Sequence, residues 1–314
     1  MNIEANPQAA KSHRTMALAS LKSFGDFVIA HSTLRRVAAD SRDRIRLIAG
    51  DHVEELHALL PADVPVTLVS SGVERRVPAL FDVRRRGASA AIQSALWLRR
   101  ELSQLGRAPD EALAFDQLGI RERFIAGRWP LVGPLAKAGN IYDTYRQFLS
   151  DQRIDCSSVS RRAGAGGAKV VGVFSEAGRI AKRLTPAALT VIRERAAHGG
   201  LETKLFVLQG DASGDGGRPG AVTIARNFAS LLAAINSVDC VVSADSLPAH
   251  LAEYFARPVF VASPVPNEYW LPHGCFTRGY WGIFSQEAAF ARSLDSFFGE
   301  CSERGVRNGS EASR

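Results

Sequence analysis

The sequence predicts an α/β protein built from two parallel-sheet domains that face a common cleft. Short apolar, β-branched segments alternate with segments of helical periodicity along most of the chain. This alternation is interrupted once, by a Gly- and Ser-rich stretch at residues 155–168, which is typical of a flexible connection. The 314 residues, 46% of them hydrophobic, suffice for two domain cores.

In the first half, four apolar segments are short enough for strands and three longer segments carry apolar residues at helical spacing. The predicted strands are 16–21, 44–49, 64–70 and 111–115, and the predicted helices are 26–38, 52–60 and 88–105. The second half restarts the same rhythm. Its predicted strands are 169–175, 204–208, 240–244 and 258–262, and its helices are 186–197, 224–235, 247–255 and 287–298.

Strands separated by helices imply parallel sheets that are covered on both faces. The predicted organisation has four parts. They are an N-terminal domain (1–154), a linker (155–168), a C-terminal domain (169–283), and a final helix and tail (284–314). Two such domains joined by a linker form a cleft between them, which is where a substrate is expected.

The formal net charge of +7 indicates an anionic partner or simply a solvated basic face. Basic clusters occur at Arg84–Arg86 and Arg99–Arg100, without any recognised nucleic-acid-binding pattern beside them. A solvated surface is the simplest interpretation. If the clusters are functional, anionic lipid headgroups or a glycolipid acceptor fit better than nucleic acid.

Cysteine usage and hydropathy favour a cytoplasmic protein. The four cysteines are far apart and form no CxxC pair, so we expect reduced thiols rather than a disulfide framework or a zinc site. The first fifteen residues lack an apolar leader, and no segment approaches the roughly 20 apolar residues of a membrane span.

The junction at Val241–His250 is the most informative local pattern. An apolar, β-branched run stops there and a helix begins at once, with Asp245 or Ser246 available as a cap and Pro248 suited to the first turn. Free backbone N–H groups and the helix dipole at such a junction favour a phosphate or pyrophosphate. Many α/β proteins have such junctions without a ligand, so the pattern alone leaves both interpretations open.

Two further segments are predicted to face the same cleft. Gly25 and Asp26 follow the first strand, where Gly25 would permit a tight turn and Asp26 would open the next helix. Asp26 is then either an ordinary helix cap or a carboxylate directed into the cleft. In the second half, Ser175 and Lys182 follow a strand, so they are either phosphate ligands or ordinary loop residues.

Taken in order, these three segments resemble glycosyltransferase family 9, whose members include the ADP-heptose:lipopolysaccharide heptosyltransferases. The first motif is a strand followed by Gly-Asp, here within Ser23–Asp26. The second is a central Ser followed by Lys-Arg, here Ser175 and Lys182–Arg183. The third is Asp-Thr/Ser-Gly-x-x-His, here Asp245–His250. The resemblance covers roughly residues 16–298.

The resemblance implies a GT-B fold, with an N-terminal acceptor domain and a C-terminal domain that binds a nucleotide-sugar. It implies an inverting reaction without a metal or other cofactor, in which Asp26 is the general base. The expected donor-binding residues are Ser175, Lys182, Arg183, Asp245, Ser246, Leu247 and His250, the last in a supporting role. On the acceptor side we expect Gly25, Arg84 and Arg85.

These roles meet the physical needs of sugar transfer. A base must lie near the acceptor hydroxyl, and the leaving diphosphate needs fixed positive charge and N–H donors. Asp26 would supply the first, and Lys182 with the backbone of residues 246–249 the second. The expected partners are a nucleotide-sugar donor and a lipopolysaccharide or related surface-glycan acceptor, with peripheral contact to an anionic inner-membrane surface and no nucleic acid.

Two departures from the family pattern leave alternatives open. Leu247 stands where the family has glycine, and a side chain there hinders close approach of a phosphate. Leu184 stands where a tryptophan often follows Lys-Arg. The alternatives are a nucleotide-sugar epimerase of the same fold and a degenerate, non-catalytic binding protein.

Overall fold

The computed structural model describes residues 15–73, 77–132, 137–157, 167–210 and 220–310, the last eight as backbone only. Within these ranges the chain forms two sheets, and every strand pairing in both sheets is parallel. The predicted α/β class and its two Rossmann-like halves are therefore confirmed. The predicted linker falls largely on residues 158–166, which lie outside the described residues. The exact domain limits stay a prediction.

The first sheet has the strand order β3-β2-β1-β4. Its strands are β1 (Met16–Ser20), β2 (Ile45–Gly50), β3 (Val66–Val69) and β4 (Ala112–Phe115). The central strand β1 and its neighbour β4 are buried at every residue, because helices cover both faces of the sheet.

The second sheet has the order β10-β9-β8-β5-β6-β7. Its strands are β5 (Val170–Phe174), β6 (Glu202–Leu208), β7 (Ala221–Ile224), β8 (Cys240–Ala244), β9 (Val259–Ser263) and β10 (Trp281–Ile283). Strands β8 and β9 are buried throughout. Strand β7, at the edge, is the most exposed.

Eleven α-helices within the described residues connect and cover these strands. They are α1 (Phe24–Leu34), α2 (Glu54–His57), α3 (Val83–Arg86), α4 (Ala88–Gln104), α5 (Ile120–Ala126), α6 (Ile141–Asp151), α7 (Pro186–His198), α8 (Phe228–Asn236), α9 (Leu247–Tyr254), α10 (His273–Arg278) and α11 (Glu287–Ser310). In the part of the chain that the structure describes, no helix is both long and apolar enough to cross a membrane.

The strand orders create one switch point in each sheet, where the crossover helices change from one face to the other. In the first sheet it lies between β1 and β4, and in the second between β5 and β8. A crevice opens at the carboxyl ends of the strands at such a point, and ligands of open α/β sheets bind there. All three predicted site segments follow β1, β5 or β8, so the topology places each of them at a switch point.

Several predicted boundaries were wrong. The predicted helix 26–38 begins earlier, at Phe24, and ends at Leu34. The predicted helix 52–60 is only a 3₁₀ turn followed by the short α2. The predicted helix 224–235 is replaced at its start by the end of β7, and α8 begins at Phe228 because the Asn227 side chain caps it.

The sequence interpretation missed β7, β10, α5, α6 and α10. The two strands have four and three residues, too few for a period-2 pattern to stand out. Helix α6 did carry a usable signal. Asn140 caps it by accepting a hydrogen bond from the Tyr142 N–H, and its buried residues recur at helical spacing.

Helix α9 joins the two halves of the molecule by packing on α1. Two histidine–tyrosine pairs cross this boundary, since the Tyr254 hydroxyl lies 3.0 Å from His31 Nδ1 and the Tyr142 hydroxyl 3.1 Å from His250 Nδ1. Burial lowers the pKa of both histidines to about 4. Both rings are therefore neutral at physiological pH and can accept the tyrosine hydrogen bonds.

Acid should destabilise the protein between pH 6.5 and 4. Burial also lowers the pKa of His52 to about 4. The unfolded chain takes up these protons near pH 6.5, whereas the folded chain cannot, so the free energy of unfolding falls as pH falls through this window. Each of the three buried histidines contributes up to about 3 kcal/mol to this loss. Urea unfolding at pH 7 and pH 5 measures it.

His52→Phe provides the internal test of this explanation. His52 stacks on Phe24 at a centroid distance of 5.8 Å, and neither of its ring nitrogens has a hydrogen-bond partner among the described residues. A phenyl ring should keep the stacking and remove the proton uptake. The variant should therefore lose less stability than the parent between pH 7 and pH 5, and an equal loss would contradict the proposed cause.

Candidate functional site

A cleft of about 1220 Å³ lies between the carboxyl edges of the two sheets. Its walls come from both halves of the chain. Of the predicted site residues, it is lined by Gly25, Asp26, Arg84, Arg85, Lys182, Arg183, Asp245, Ser246, Leu247 and His250. The structure therefore brings together residues that are separated by up to 225 positions in the sequence, leaving out only Ser175.

Asp26 lies in the first turn of α1 and is not its cap. Ser23 is the N-cap, with extended backbone (φ −144°) and a side chain that accepts a 3.3 Å hydrogen bond from the Asp26 N–H. The Ser23 hydroxyl in turn donates to Asp26 Oδ2 at 2.7 Å. Gly25 is helical too, so the predicted tight turn at Gly25 is wrong. The serine cap fixes the carboxylate of Asp26 at the mouth of the helix.

The pKa of Asp26 is raised to about 6. Removal of the carboxylate from water is the main cause, and the negative charge of Asp116 adds to it. The Ser23 hydrogen bond and the positive charge of Lys22 act in the opposite direction. Asp26 is consequently ionised at neutral pH but more basic than an ordinary aspartate.

The sequence interpretation missed Lys22 and Asp116, which lie beside Asp26. Lys22 Nζ donates to both carboxylate oxygens of Asp116, at 2.9 and 3.0 Å, and lies 3.8 Å from Glu122. Lys22 follows β1 and Asp116 follows β4, so both occupy the switch point of the first sheet. Their positions directly after predicted strands are the signal that could have identified them.

On the opposite wall, Lys182 and Asp245 form the central charge pair. Lys182 Nζ donates to Asp245 Oδ2 at 2.6 Å, and the Asn267 amide donates to the same oxygen at 2.6 Å. The Asp245 side chain is 8% exposed and that of Lys182 is 30% exposed. The buried carboxylate therefore positions an ammonium group that remains accessible from the cleft. Asn267 was not predicted.

The start of α9 offers fewer free amides than the sequence suggested. Ser246 occupies the cap position, but its hydroxyl bonds the carbonyls of Glu176 (3.1 Å) and Ala244 (3.2 Å) and caps no α9 amide. Pro248 has no N–H group, and the Ala249 N–H donates to the Ser246 carbonyl at 3.1 Å. At most the amides of Ser246 and Leu247 remain for a ligand.

Leu247 fits this backbone without strain. Within the described residues, only Arg153 and Ala256 have positive φ among non-glycine residues, so position 247 does not need glycine for its conformation. The leucine side chain is half-buried and packs against the core. Its effect on a ligand is therefore one of space alone.

His250 lies one turn into α9, behind the cleft surface. It is buried, bonds Tyr142 through Nδ1, and places its Cδ2 atom 3.9 Å from the position that a Cβ at Gly25 would occupy. Gly25 therefore allows the start of α1 to approach α9 closely. This contact brings the segment that carries Asp26 against the helix that follows Asp245.

Ser175 does not line the cleft. Its side chain is buried, its hydroxyl has no hydrogen-bond partner among the described residues, and its carbonyl accepts from the Leu184 N–H at 3.0 Å. Its assignment to the donor stays a prediction. Beyond it, an apolar wall that the sequence did not indicate borders the cleft. Its residues are Phe174, Phe206, Leu208, Ile224, Phe228 and Leu231.

Arg84 and Arg85 lie on α3 at the rim of the cleft, and both side chains are exposed. Arg85 Nε is 3.6 Å from Asp82 Oδ2, while Arg85 Nη1 lies 3.9 Å from the position that a Cβ at Gly178 would occupy. Gly178 belongs to the loop after β5. Arg85 therefore extends across the cleft toward the second half of the molecule.

The two sheets and the cleft between them define a two-domain α/β protein with the GT-B fold. In the parts of the chain described by the structure, His, Cys, Asp and Glu side chains form no group of three or more that could hold a metal ion. No protein-family model matches the sequence, and no curated protein matches it.

Solved structures with the same fold are nevertheless found. A glycosyl transferase family 9 protein from Veillonella parvula superimposes with a TM-score of 0.58 at 12% identity, covering 95% of this chain and 99% of that one. The E. coli heptosyltransferase WaaC with ADP gives 0.59 at 11% identity, covering 91% and 99%. Its form with ADP-2-deoxy-2-fluoro heptose gives 0.56 at 13% identity. The resemblance to glycosyltransferase family 9 is confirmed for the fold.

Proposed function

We infer that the protein is an inverting, metal-independent glycosyltransferase, which moves a sugar from a nucleoside-diphosphate donor to a lipopolysaccharide or related surface glycan. One observation carries the proposal. The Asp26 carboxylate and the Lys182–Asp245 pair occupy the switch points of two different sheets and line one cleft. A base on one wall and a cation for a leaving group on the other are what sugar transfer requires.

In the proposed reaction, Asp26 accepts the proton of the acceptor hydroxyl. The acceptor oxygen forms a bond to the anomeric carbon while the bond from that carbon to the diphosphate breaks on the opposite face, which inverts the configuration. A pKa of about 6 suits this role, because the carboxylate is ionised at pH 7 and still takes a proton more readily than a free aspartate.

The departing diphosphate gains negative charge, which Lys182 and Arg183 would stabilise together with the amides of Ser246 and Leu247. Asp245 would act by holding the Lys182 ammonium in place, as its 2.6 Å hydrogen bond indicates. Ser175 and His250 would support this wall from behind. We propose no metal or other cofactor, since fixed protein charges supply the compensation that the leaving group needs.

The acceptor would bind on the first half of the chain, at Gly25, Arg84 and Arg85. Exposed arginines suit an acceptor that carries phosphate or carboxylate groups, because the guanidinium group binds both through paired hydrogen bonds. We propose a cytoplasmic protein in peripheral contact with an anionic inner-membrane surface, where such an acceptor would be displayed, and no nucleic-acid partner.

A non-catalytic binding protein is the second candidate. The geometry of α9 favours it, since Leu247 narrows the approach and Pro248 removes an amide from the expected phosphate site. Such a protein would bind a nucleotide without turning over any donor. An epimerase would instead convert a donor in the absence of acceptor, so product analysis with and without acceptor separates all three functions.

A thermal-shift series with ADP, UDP and GDP tests the donor site. The E. coli protein of the same fold binds ADP, so ADP and ADP-heptose are the first ligands to try. At a ligand concentration 100 times its dissociation constant, binding adds about 2.7 kcal/mol of stability, or about 5 °C in Tm for a chain of this size. A shift with one nucleotide alone identifies the donor class, and no shift with any of them would refute a donor site.

A further inference from the structure

Exposed apolar side chains are concentrated on α4 and α5 of the first half. Ile120 is 91% exposed, Ile92 61% and Leu96 53%, and Trp97 and Phe124 are also exposed. Isolated apolar residues on a surface are ordinary, but a group of them on neighbouring helices marks an interaction site. We name these five residues the apolar patch.

The members of the apolar patch belong to one continuous surface. Ile92 and Leu96 are four residues apart on α4, and Ile120 and Phe124 are four apart on α5, so each pair lies on one side of its helix. Helices α4 and α5 pack together. Arg99 joins them, because its guanidinium lies 4.7 Å from the Phe124 ring centroid and donates to the Phe124 carbonyl at 2.6 Å.

The charge around the patch is predominantly positive. Residues 83–128 contain nine arginines and no lysine. Those with exposed side chains near the patch are Arg84, Arg85, Arg99, Arg100, Arg123 and Arg128. The same stretch has five carboxylates, but Glu111, Asp116 and Glu122 are buried and paired with Arg46, Lys22 and Arg121.

We propose that the apolar patch and its arginines dock the protein onto the anionic leaflet of a lipid bilayer. Apolar side chains would enter the boundary between headgroups and acyl chains, and the arginines would bind lipid phosphates. The patch continues into the cleft, because Val83, Arg84 and Arg85 precede α4 and line the cleft rim. The docked cleft would then open at the bilayer, which extends the proposed function and rests on it for the identity of the acceptor.

Charge favours a lipid surface over a second copy of the chain. A symmetric dimer through this surface would set the arginines of one copy against the same arginines of the other. With three of the five nearby carboxylates buried and paired, few opposing charges would compensate them. A layer of lipid phosphates supplies that compensation directly.

Vesicle co-sedimentation without any nucleotide-sugar tests the proposal independently of catalysis. The intact protein should bind vesicles of phosphatidylglycerol and phosphatidylcholine in equal amounts, bind pure phosphatidylcholine far more weakly, and bind less at high salt. The double variant Arg100→Gln/Arg123→Gln should weaken binding about thirtyfold. Ile92→Gln/Leu96→Gln should weaken it about tenfold or more.

Matched controls are available on the second half of the chain. Arg193→Gln/Arg292→Gln removes two exposed charges from α7 and α11, and Val222→Gln replaces an exposed apolar residue of β7. Both should bind vesicles like the parent. No binding to anionic vesicles, or equal losses in patch and control variants, would overturn the proposal. So would self-association of the parent that only the patch variants abolish, since the occupant would then be a second copy.

Discussion

Asp26→Asn should abolish sugar transfer while making the protein more stable. As the proposed base, Asp26 contributes a factor of about a hundred to ten thousand to turnover, and asparagine cannot accept the proton. Donor affinity should be unchanged, because Asp26 lies on the wall opposite Lys182. Turnover with a saturating donor and the nucleotide-induced Tm shift measure the two effects separately. Retained turnover would exclude Asp26 as the base.

The gain in stability follows from the raised pKa. An aspartate whose pKa rises from 3.8 to about 6 on folding is disfavoured in its charged form, so its cost to the folded state grows between these pH values and is complete above pH 6. The shift corresponds to at most about 3 kcal/mol. Asparagine removes this cost but loses the favourable charge at the start of α1, so we expect a net gain of about 1 to 2 kcal/mol.

The pH dependence supplies a further check. Because the base must be ionised, kcat/KM of the parent should rise through about pH 6. Ser23→Ala removes a hydrogen bond that lowers the pKa of Asp26, so its profile should shift to higher pH with part of the activity retained. The stability gain of Asp26→Asn should be larger at pH 7.5 than at pH 5. A gain of equal size at both pH values would contradict the desolvation argument.

Lys182→Met should cause the second large effect, a loss of donor binding. The variant removes the cation proposed for the diphosphate and leaves the buried Asp245 carboxylate with Asn267 as its hydrogen-bonding partner in the site. We expect diphosphate affinity to fall about a hundredfold, as for a charge-assisted contact. Stability should fall by about 2 kcal/mol, less than for a fully buried pair because Lys182 is partly exposed.

The double variant Lys182→Met/Asp245→Asn separates these two effects. Replacing both partners removes the uncompensated carboxylate, so most of the stability should return. Donor affinity should remain low, because the cation is still absent. Calorimetric titration with ADP and urea unfolding report the two quantities. If affinity recovered together with stability, Lys182 would be a structural residue only.

Much of the local structure could be predicted from the sequence. The apolar runs of β1 and β8 and the turns after them are readable, because period and capping depend on neighbouring residues alone. The shortest strands, β7 and β10, could not be read. The role of Ser23 was missed in the same way, since both Ser23 and Asp26 are acceptable caps and only the backbone conformation distinguishes them.

The sequence by itself determined the α/β class, the two halves and the three short segments that carry the candidate site, because each depends on contiguous residues. Only the tertiary structure decided that Lys22 and Asp116 accompany Asp26, that Asn267 shares Asp245 with Lys182, and that Ser175 is buried. Strand order sets which loops meet at a switch point, and this order arises from long-range packing. The raised pKa of Asp26 has the same origin, because desolvation depends on everything that surrounds the carboxylate.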